Sequence, residues 1–321
     1  MKIFPYPHAY PNQIRDESTL LKELNDFKHA NDQNGFFGTL AFTALTHAYD
    51  NWDLGHLIAS DSHQIPLMAI LPFYENPVIT ARKIVSFQAI YQRPLAINWI
   101  SGLALNDYEK LGLKLTKVQR YAMLKEHITV VNALLDPVSK KTLTFEGEFF
   151  YVKNHKLQKN LSFPLYQYIS GTSAECLELI REFKFLNQLV GGMEKGHTYS
   201  EFAKGAAFGV VVRPSELDAK KIFDKKFKSD SLSLSYAKLA QKNTDSDWKL
   251  KIHERLKQED SKGNFFYSSI SHYSEVGFVV GDYIQVSEYF KNLISLGMST
   301  FVVCLLDCAD IYHLRKCIDL I

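Results

Sequence analysis

Short apolar runs alternate with longer stretches of helical periodicity almost from one end of the chain to the other. The apolar runs fall at residues 3–6, 39–42, 67–71, 95–100, 165–169, 186–190, 207–212 and 300–305. They are continuous rather than alternating, the pattern of parallel strands buried on both faces. Eight such strands with helices between them predict an α/β fold of the (β/α)8 TIM-barrel type rather than an open sheet. Asn76-Pro77 supplies an N-cap followed by proline at the first helical position, opening a helix that runs to about Tyr91. Residues 116–135 read as a long amphipathic helix ended by Asp136-Pro137. Asp282 with Gln285 resembles a capping box, and Gly297 closes that helix. Residues 142–152 form two strand-like runs around Gly147, a hairpin decorating the barrel.

From Pro214 to Gly263 the alternation breaks. This stretch is rich in Lys, Asp and Ser, carries helical patterns at 217–227, 231–242 and 247–258, and is too long for a simple loop. It reads as an insertion of approximately residues 214–275 after the seventh strand, over the carboxyl ends of the strands, where barrel active sites lie. A solvated helical appendage and a mobile lid both fit it. No repeat or interdomain linker appears, so residues 1–321 are expected to form a single domain.

Charge narrows the partners. Lys plus Arg number 37 against 35 Asp plus Glu, and a net charge of +2 argues against nucleic acid. The longest strongly apolar run, residues 301–306, is far short of the ~20 needed to span a bilayer. The first residues, Met1 to Pro7, lack the apolar run of a signal peptide. The expectation is a cytoplasmic protein with no membrane partner, its four cysteines reduced and mostly buried. They form no CxxC pair and no HExxH occurs, so a metal site has little support.

Candidate chemistry gathers at strand ends. Gly171-Thr172-Ser173 follows a strand and opens a helix, so free backbone N–H groups and the helix dipole would face an anion. Gly171 permits close backbone approach, and both hydroxyls can donate. Thr172-x-x-Glu175 also reads as a plain capping box that needs no ligand. Asn98 and Ser101 sit at the carboxyl end of the fourth strand, pointing into the barrel mouth or capping the strand end. His47, just after the second strand, and His272, near the end of the insertion, are candidate catalytic groups able to move a proton near neutral pH.

An ordered set of short motifs carries a resemblance. Gly35-Phe-Phe-Gly-Thr-Leu-Ala-Phe42, Asp50-Asn-Trp52, Ala69-Ile-Leu-Pro72, Asn76-Pro77 and Ala81-Arg82 come first. Asn98-Trp-Ile-Ser-Gly102, Gln119-Arg-Tyr121, Phe145 to Val152, Gly171-Thr-Ser-Ala174 and Val280-Gly-Asp282 follow. Together they resemble the bacterial luciferase-like flavin-dependent monooxygenase family, most nearly its alkanesulfonate monooxygenase branch. The resemblance covers most of residues 35–190 and 276–305. It implies a barrel that binds reduced FMN from a separate flavin reductase and uses oxygen to oxygenate a small-molecule substrate. A branch of the family uses a deazaflavin, which the sequence does not exclude. By resemblance, Gly171, Thr172, Ser173 and Tyr121 meet the flavin phosphate, Asn98 and Ser101 meet the ring or the substrate, and Pro72 belongs to the strand backing the ring. Family members also dimerise through flanking helices, here residues 51–63 and 76–91. The second carries Val78, Ile79, Val85, Phe87 and Ile90 around much of its circumference, which suggests a second buried face.

The departures are specific. Where the sulfonate branch has an arginine and a histidine in its seventh strand, this chain has Ala207 and Gly209. His272 aligns with a loop arginine, Gly191 or a neighbour with a tryptophan, and Ala48 with a cysteine. A desulfonating activity is therefore not expected. Two readings remain: an active monooxygenase, or a degenerate member that is either a flavin-binding protein or a silent subunit partnering an active paralogue, with a homodimer or a heterodimer with a paralogue as the expected assembly.

Overall fold

The computed structural model describes residues 1–7, 17–41, 49–102, 105–139, 141–192, 198–227, 265–266 and 276–321. The candidate catalytic residues His47 and His272, with Ala48 and most of the insertion, lie outside the described residues. The strands are β1 (Lys2–Pro7), β2 (Gly38–Ala41), β3 (Ile65–Ile70), β4 (Leu95–Trp99), β5 (Leu143–Glu146), β6 (Tyr151–His155), β7 (Leu165–Ser170), β8 (Asn187–Gly191), β9 (Ala203–Arg213), β10 (Phe265–Phe266), β11 (Phe278–Asp282) and β12 (Thr300–Leu305). The described helices are α1 (Glu17–Gln33), α2 (Asn51–Ala59), α3 (Pro77–Tyr91), α4 (Leu105–Lys110), α5 (Lys117–Leu135), α6 (Ala174–Glu182), α7 (Glu216–Lys226), α8 (Tyr283–Ser295) and α9 (Ala309–Ile318).

Eight strands follow one another in the order β1-β12-β9-β8-β7-β4-β3-β2, every neighbouring pair parallel. The two ends of this path meet where the Phe37 N–H donates to the Ile3 carbonyl at 3.2 Å, so the sheet is a nearly closed barrel. Over the described residues, each of the eight apolar runs in the sequence lies on one of these strands, overrunning it by at most one residue at either end. Alternate side chains fill the two sides. Phe4, Leu40, Leu67, Ala96, Tyr168, Leu189 and Val302 pack together inside, while Ile97 and Trp99 of β4 face the helical layer.

One strand was not legible as such. β11 pairs in parallel with the carboxyl half of β9, whose amino half pairs with β12. Its five residues end on Asp282, which is at once the strand terminus and the N-cap of α8, with the capping box to Gln285 formed as the sequence predicts. No loop separates the two elements, so nothing in the local composition announces the strand. The hairpin β5–β6 stands apart from the barrel as a two-stranded sheet. Its turn is held by Glu126 of α5, whose carboxylate accepts the N–H groups of Glu148, Phe149 and Phe150 at 2.7, 2.9 and 3.0 Å.

Helix α3 starts as predicted, with Asn76 accepting from the Val78 N–H at 2.9 Å. Its breadth of apolar residues has a cause within the chain. Val85 and Phe87 are buried in the core shared with α5, and only Ile79 and Ile90 of the expected second face remain exposed, at 41% and 64%. Among the described residues no helix is long and apolar enough to cross a membrane.

Candidate functional site

The carboxyl ends of β3, β4 and β7 bring most of the expected cofactor residues into one neighbourhood. Ser170, the last residue of β7, donates its hydroxyl to Asn98 Oδ1 at 3.0 Å, and Asn98 is buried. Directly after β7, Gly171 takes φ +144°, a conformation that favours glycine. A Cβ at Gly171 would stand 3.1 Å from the Tyr121 hydroxyl and 3.3 Å from Cys176 Sγ. The glycine therefore makes room for the phenol beside it.

The helix that follows is capped by Ser173, not by Thr172. The Ser173 hydroxyl accepts the Cys176 N–H at 3.4 Å, so the alternative Thr172-x-x-Glu175 box is not what starts α6. Tyr121, reaching in from the first turns of α5, shares side-chain hydrogen bonds with both Ser101 and Ser173. Burial pushes this phenol above its ordinary range, with Cys176 adding to the effect and the two serines opposing it. Cys176 itself is pushed up to about 12 by burial, so it lies under the loop as a protonated thiol that donates to the Gly171 carbonyl at 3.5 Å.

Glu175 reports the electrostatics of this corner. Its carboxylate is held below its usual range, first by its own backbone N–H, then by the Ser173 hydroxyl, with Lys117 and Arg120 contributing. The groups that stabilise this anion are those expected to stabilise a phosphate: helix N-terminal amides, a serine hydroxyl and two cations. Lys117 and Arg120 were not singled out from the sequence. Both precede Tyr121 on α5, and the quoted Gln119-Arg-Tyr121 motif already contained the arginine. Arg120 is buried, donates to the Leu115 carbonyl at 3.2 Å and lies 5.1 Å from the centre of the Tyr108 ring. The Tyr108 hydroxyl in turn donates to the Ser101 carbonyl.

Pro72 follows the end of β3 and is backed by His127, a fully buried histidine on α5. Thr80 Oγ1 lies 2.8 Å from Glu75 Oε1 and 2.9 Å from His127 Nε2. The one hydroxyl proton goes to the carboxylate, so Nε2 of the imidazole carries the proton that the hydroxyl oxygen accepts. Burial pushes His127 down to about 3 against the opposing effect of the Pro72 backbone, so the ring is neutral at physiological pH. Glu75 also accepts from Trp52 Nε1 at 3.1 Å and pairs with Lys83 at 2.6 Å. The network therefore ties the loop after β3 to α2, α3 and α5.

The β9 side of the mouth is different. Ala207 joins the barrel interior, and a Cβ on Gly209 would run into the ring of Phe278, its register partner on β11. Phe278 is fully buried, with the rings of Phe223 and Phe227 packed 5.8 and 5.0 Å away. Where the sulfonate branch carries polar groups, this chain has an aromatic cluster. Gly171, Ser173, Tyr121 and Ser101 are thus joined, Thr172 lies between them in sequence, and Asn98 and Pro72 stand on the adjoining strand ends.

Comparison with known proteins agrees with this geometry. No family model matches the chain. It is 26% identical over 311 residues to the 4-(gamma-L-glutamylamino)butanoyl-[BtrI acyl-carrier protein] monooxygenase BtrO of Niallia circulans, covering 91% of this chain and 89% of that protein. The oxygenating constituent of 3,6-diketocamphane monooxygenase of Pseudomonas putida, solved in complex with FMN, has the same fold, with a TM-score of 0.66 at 15% identity over 98% of this chain and 96% of that one. An F420-dependent secondary alcohol dehydrogenase shares it as well, with a TM-score of 0.67 at 14% identity over 99% and 98%. None of the three is a sulfonate enzyme by name, so the narrower alkanesulfonate placement gains no support from them. Likeness to a monooxygenase along nine-tenths of the sequence, and a barrel shared with FMN- and F420-dependent enzymes, bear out the resemblance to the luciferase-like flavin-dependent monooxygenases.

Proposed function

We propose that this chain is a monooxygenase that takes reduced FMN from a separate flavin reductase and oxygenates a small organic substrate. The observation that carries the cofactor reading is the corner at the start of α6. There Gly171 leaves space beside Tyr121, and Ser173, Lys117 and Arg120 already hold the Glu175 carboxylate ionised. These residues fit a phosphate, and the curated relative with the longest match reported above is a monooxygenase. When bound, reduced FMN would supply the reaction with oxygen. The chain's own part is to hold the phosphate at Gly171, Thr172, Ser173 and Tyr121, to place the ring between Pro72 and Asn98, and to exclude water. His47 and His272 remain the proposed proton-handling groups. With Ala207 and Gly209 on β9 and Phe278 filling the space, the substrate is expected to be uncharged or weakly anionic rather than a sulfonate.

A silent subunit is the second reading, and the loss of polar groups on β9 is what favours it. Two measurements separate the readings. FMN, reduced FMN, riboflavin and a deazaflavin are titrated by fluorescence quenching, or anaerobically by absorbance for the reduced forms. Oxygen uptake is then followed with a flavin reductase and NADH over a panel of small ketones, amides and acyl thioesters. An FMN preference over riboflavin with no substrate-dependent oxygen uptake would support the silent subunit. No preference for FMN would remove the phosphate corner. Dimerisation is also proposed, through the face of α3 that keeps Ile79 and Ile90 exposed, and sedimentation at micromolar concentration tests it.

A further inference from the structure

Gln188 is an amide on β8 that neither the barrel core nor the proposed cofactor contacts account for. It is 1% exposed, a position where an uncharged polar side chain must find partners. It has two. Nε2 donates to the Gly171 carbonyl at 2.6 Å, and Oε1 accepts from the Ser200 hydroxyl. The carbonyl can only accept, so the NH2 group must face Gly171; the hydroxyl of Ser200 then secures the other end of the amide. The register against β9 shifts here, Gln188 pairing with Ala203 and Leu189 with Gly205, so that β9 carries the extra residue, Lys204. Leu189 packs into the barrel interior, so Gln188 approaches the loop from the opposite, helical side.

The consequence follows from the peptide plane. In a trans peptide the C=O of one residue and the N–H of the next point in opposite directions. With the Gly171 carbonyl drawn to Gln188 on the helical side, the Thr172 N–H is turned the other way, toward the barrel mouth. Gly171 can adopt the required φ of +144°, but its freedom also means that nothing in the residue itself selects this orientation. We infer that Gln188, steadied by Ser200, is a positioning residue that sets the Gly171–Thr172 peptide so that its N–H faces the phosphate of the bound flavin. The inference rests on the reading of this loop as the FMN phosphate site. Gln188 touches neither the flavin nor the substrate; it acts through one peptide group.

The test uses the difference between FMN and riboflavin, which share the ring and differ in the phosphate. Gln188→Met keeps the length of the side chain and removes the donor. FMN affinity, read by fluorescence quenching, should fall about tenfold, the value of one hydrogen bond to a charged group. Riboflavin affinity should change by less than about twofold, because the pinned peptide has no phosphate to meet. Ser200→Ala, at an exposed position, should give a smaller loss of the same selective kind. Equal weakening of both ligands would show a merely structural role and overturn the inference. An unchanged FMN-to-riboflavin ratio in a folded Gln188→Met protein would also overturn it; if that variant does not fold, the same ratio in Ser200→Ala decides. Failure of the parent reading looks different, because then the unaltered protein itself shows no preference for FMN.

Discussion

Replacing Ser173 by Asp separates the helix cap from the phosphate. Aspartate caps as well as serine, so α6 keeps its start. At a helix N-terminus the new charge adds a few tenths of a kcal/mol of stability in the free protein, offset by repulsion from neighbouring Glu175. A phosphate bound at the same amides meets that carboxylate at close range. Ser173 is only 7% exposed, so solvent screens the pair weakly. Two unit charges about 4 Å apart at an effective dielectric near 20 repel by about 4 kcal/mol. Lys117 and Arg120, which already stabilise Glu175, reduce this, and roughly 2 kcal/mol is the working figure. That corresponds to about 30-fold weaker FMN binding. Riboflavin binding and the thermal midpoint should stay close to those of the unaltered protein. The assay is flavin fluorescence quenching for both ligands, beside thermal unfolding without ligand. FMN affinity within twofold of the starting value, in a variant that melts normally, would put the cofactor elsewhere or nowhere.

Gly171→Ala forces a side chain onto a φ of +144° and brings its Cβ to 3.1 Å from the Tyr121 oxygen. Backbone strain of about 2 kcal/mol should lower the thermal midpoint by roughly 3 °C and weaken FMN more than riboflavin, checked by melting and titration. Asp310→Asn leaves Arg213 without the carboxylate that it meets at 2.5 Å, in a pair where Asp310 is fully buried. The expected loss is about 3 kcal/mol in urea unfolding at pH 7, partly recovered when Arg213 is also changed to Met. His127 carries a sign that can be checked against pH. Its folded-state value, held down to about 3 by burial, lies below the unfolded value near 6.5, so the unfolded chain binds the extra proton first. Its stabilisation is complete above about pH 6.5 and is lost as the pH falls toward 3, at up to about 1.4 kcal/mol per unit. His127→Gln should flatten that slope in urea unfolding measured between pH 7 and 4.5; an unchanged slope would assign the acid sensitivity to other groups.

The barrel was legible because its strands obey a rule that acts locally: a parallel strand buried on both faces reads as one apolar run. Helix starts were equally plain, since Asn76, Thr116 and Asp282 each satisfy amides within three residues of themselves. What the sequence did not reveal depends on partners far along the chain. Arg120 is a buried cation on the packed face of its helix, and its meaning appears only when α6 brings Glu175 beside it. Gln188 sits in a run of strand residues and answers a carbonyl 17 positions earlier. His127 looks like one more residue of an amphipathic helix until Thr80, 47 positions away, closes the network to Glu75. Part of helix α3 shows the same limit. Val85 and Phe87 looked like surplus apolar surface, but α5 covers them within the chain.

The mouth of the barrel is polarised, and the two halves come from opposite choices of residue. On the β4–β7 side the polar groups are held from behind. Asn98 is bonded to Ser170, Tyr121 to Ser101 and Ser173, the Gly171 carbonyl to Gln188, and the loop carrying Pro72 and Glu75 is tied through Thr80 to His127. Groups fixed in this way lose little freedom when a ligand arrives, so their hydrogen bonds count nearly in full. On the β9–β11 side the strand gives up its side chains at Ala207 and Gly209, and Phe278, Phe223 and Phe227 fill the space with aromatic carbon. This packed aromatic cluster leaves no polar side chain at Ala207 or Gly209 of β9 that could compensate the desolvation of a sulfonate. Under the reading proposed above, the anionic tail of a flavin would meet the start of α6, where these polar groups are already held in place.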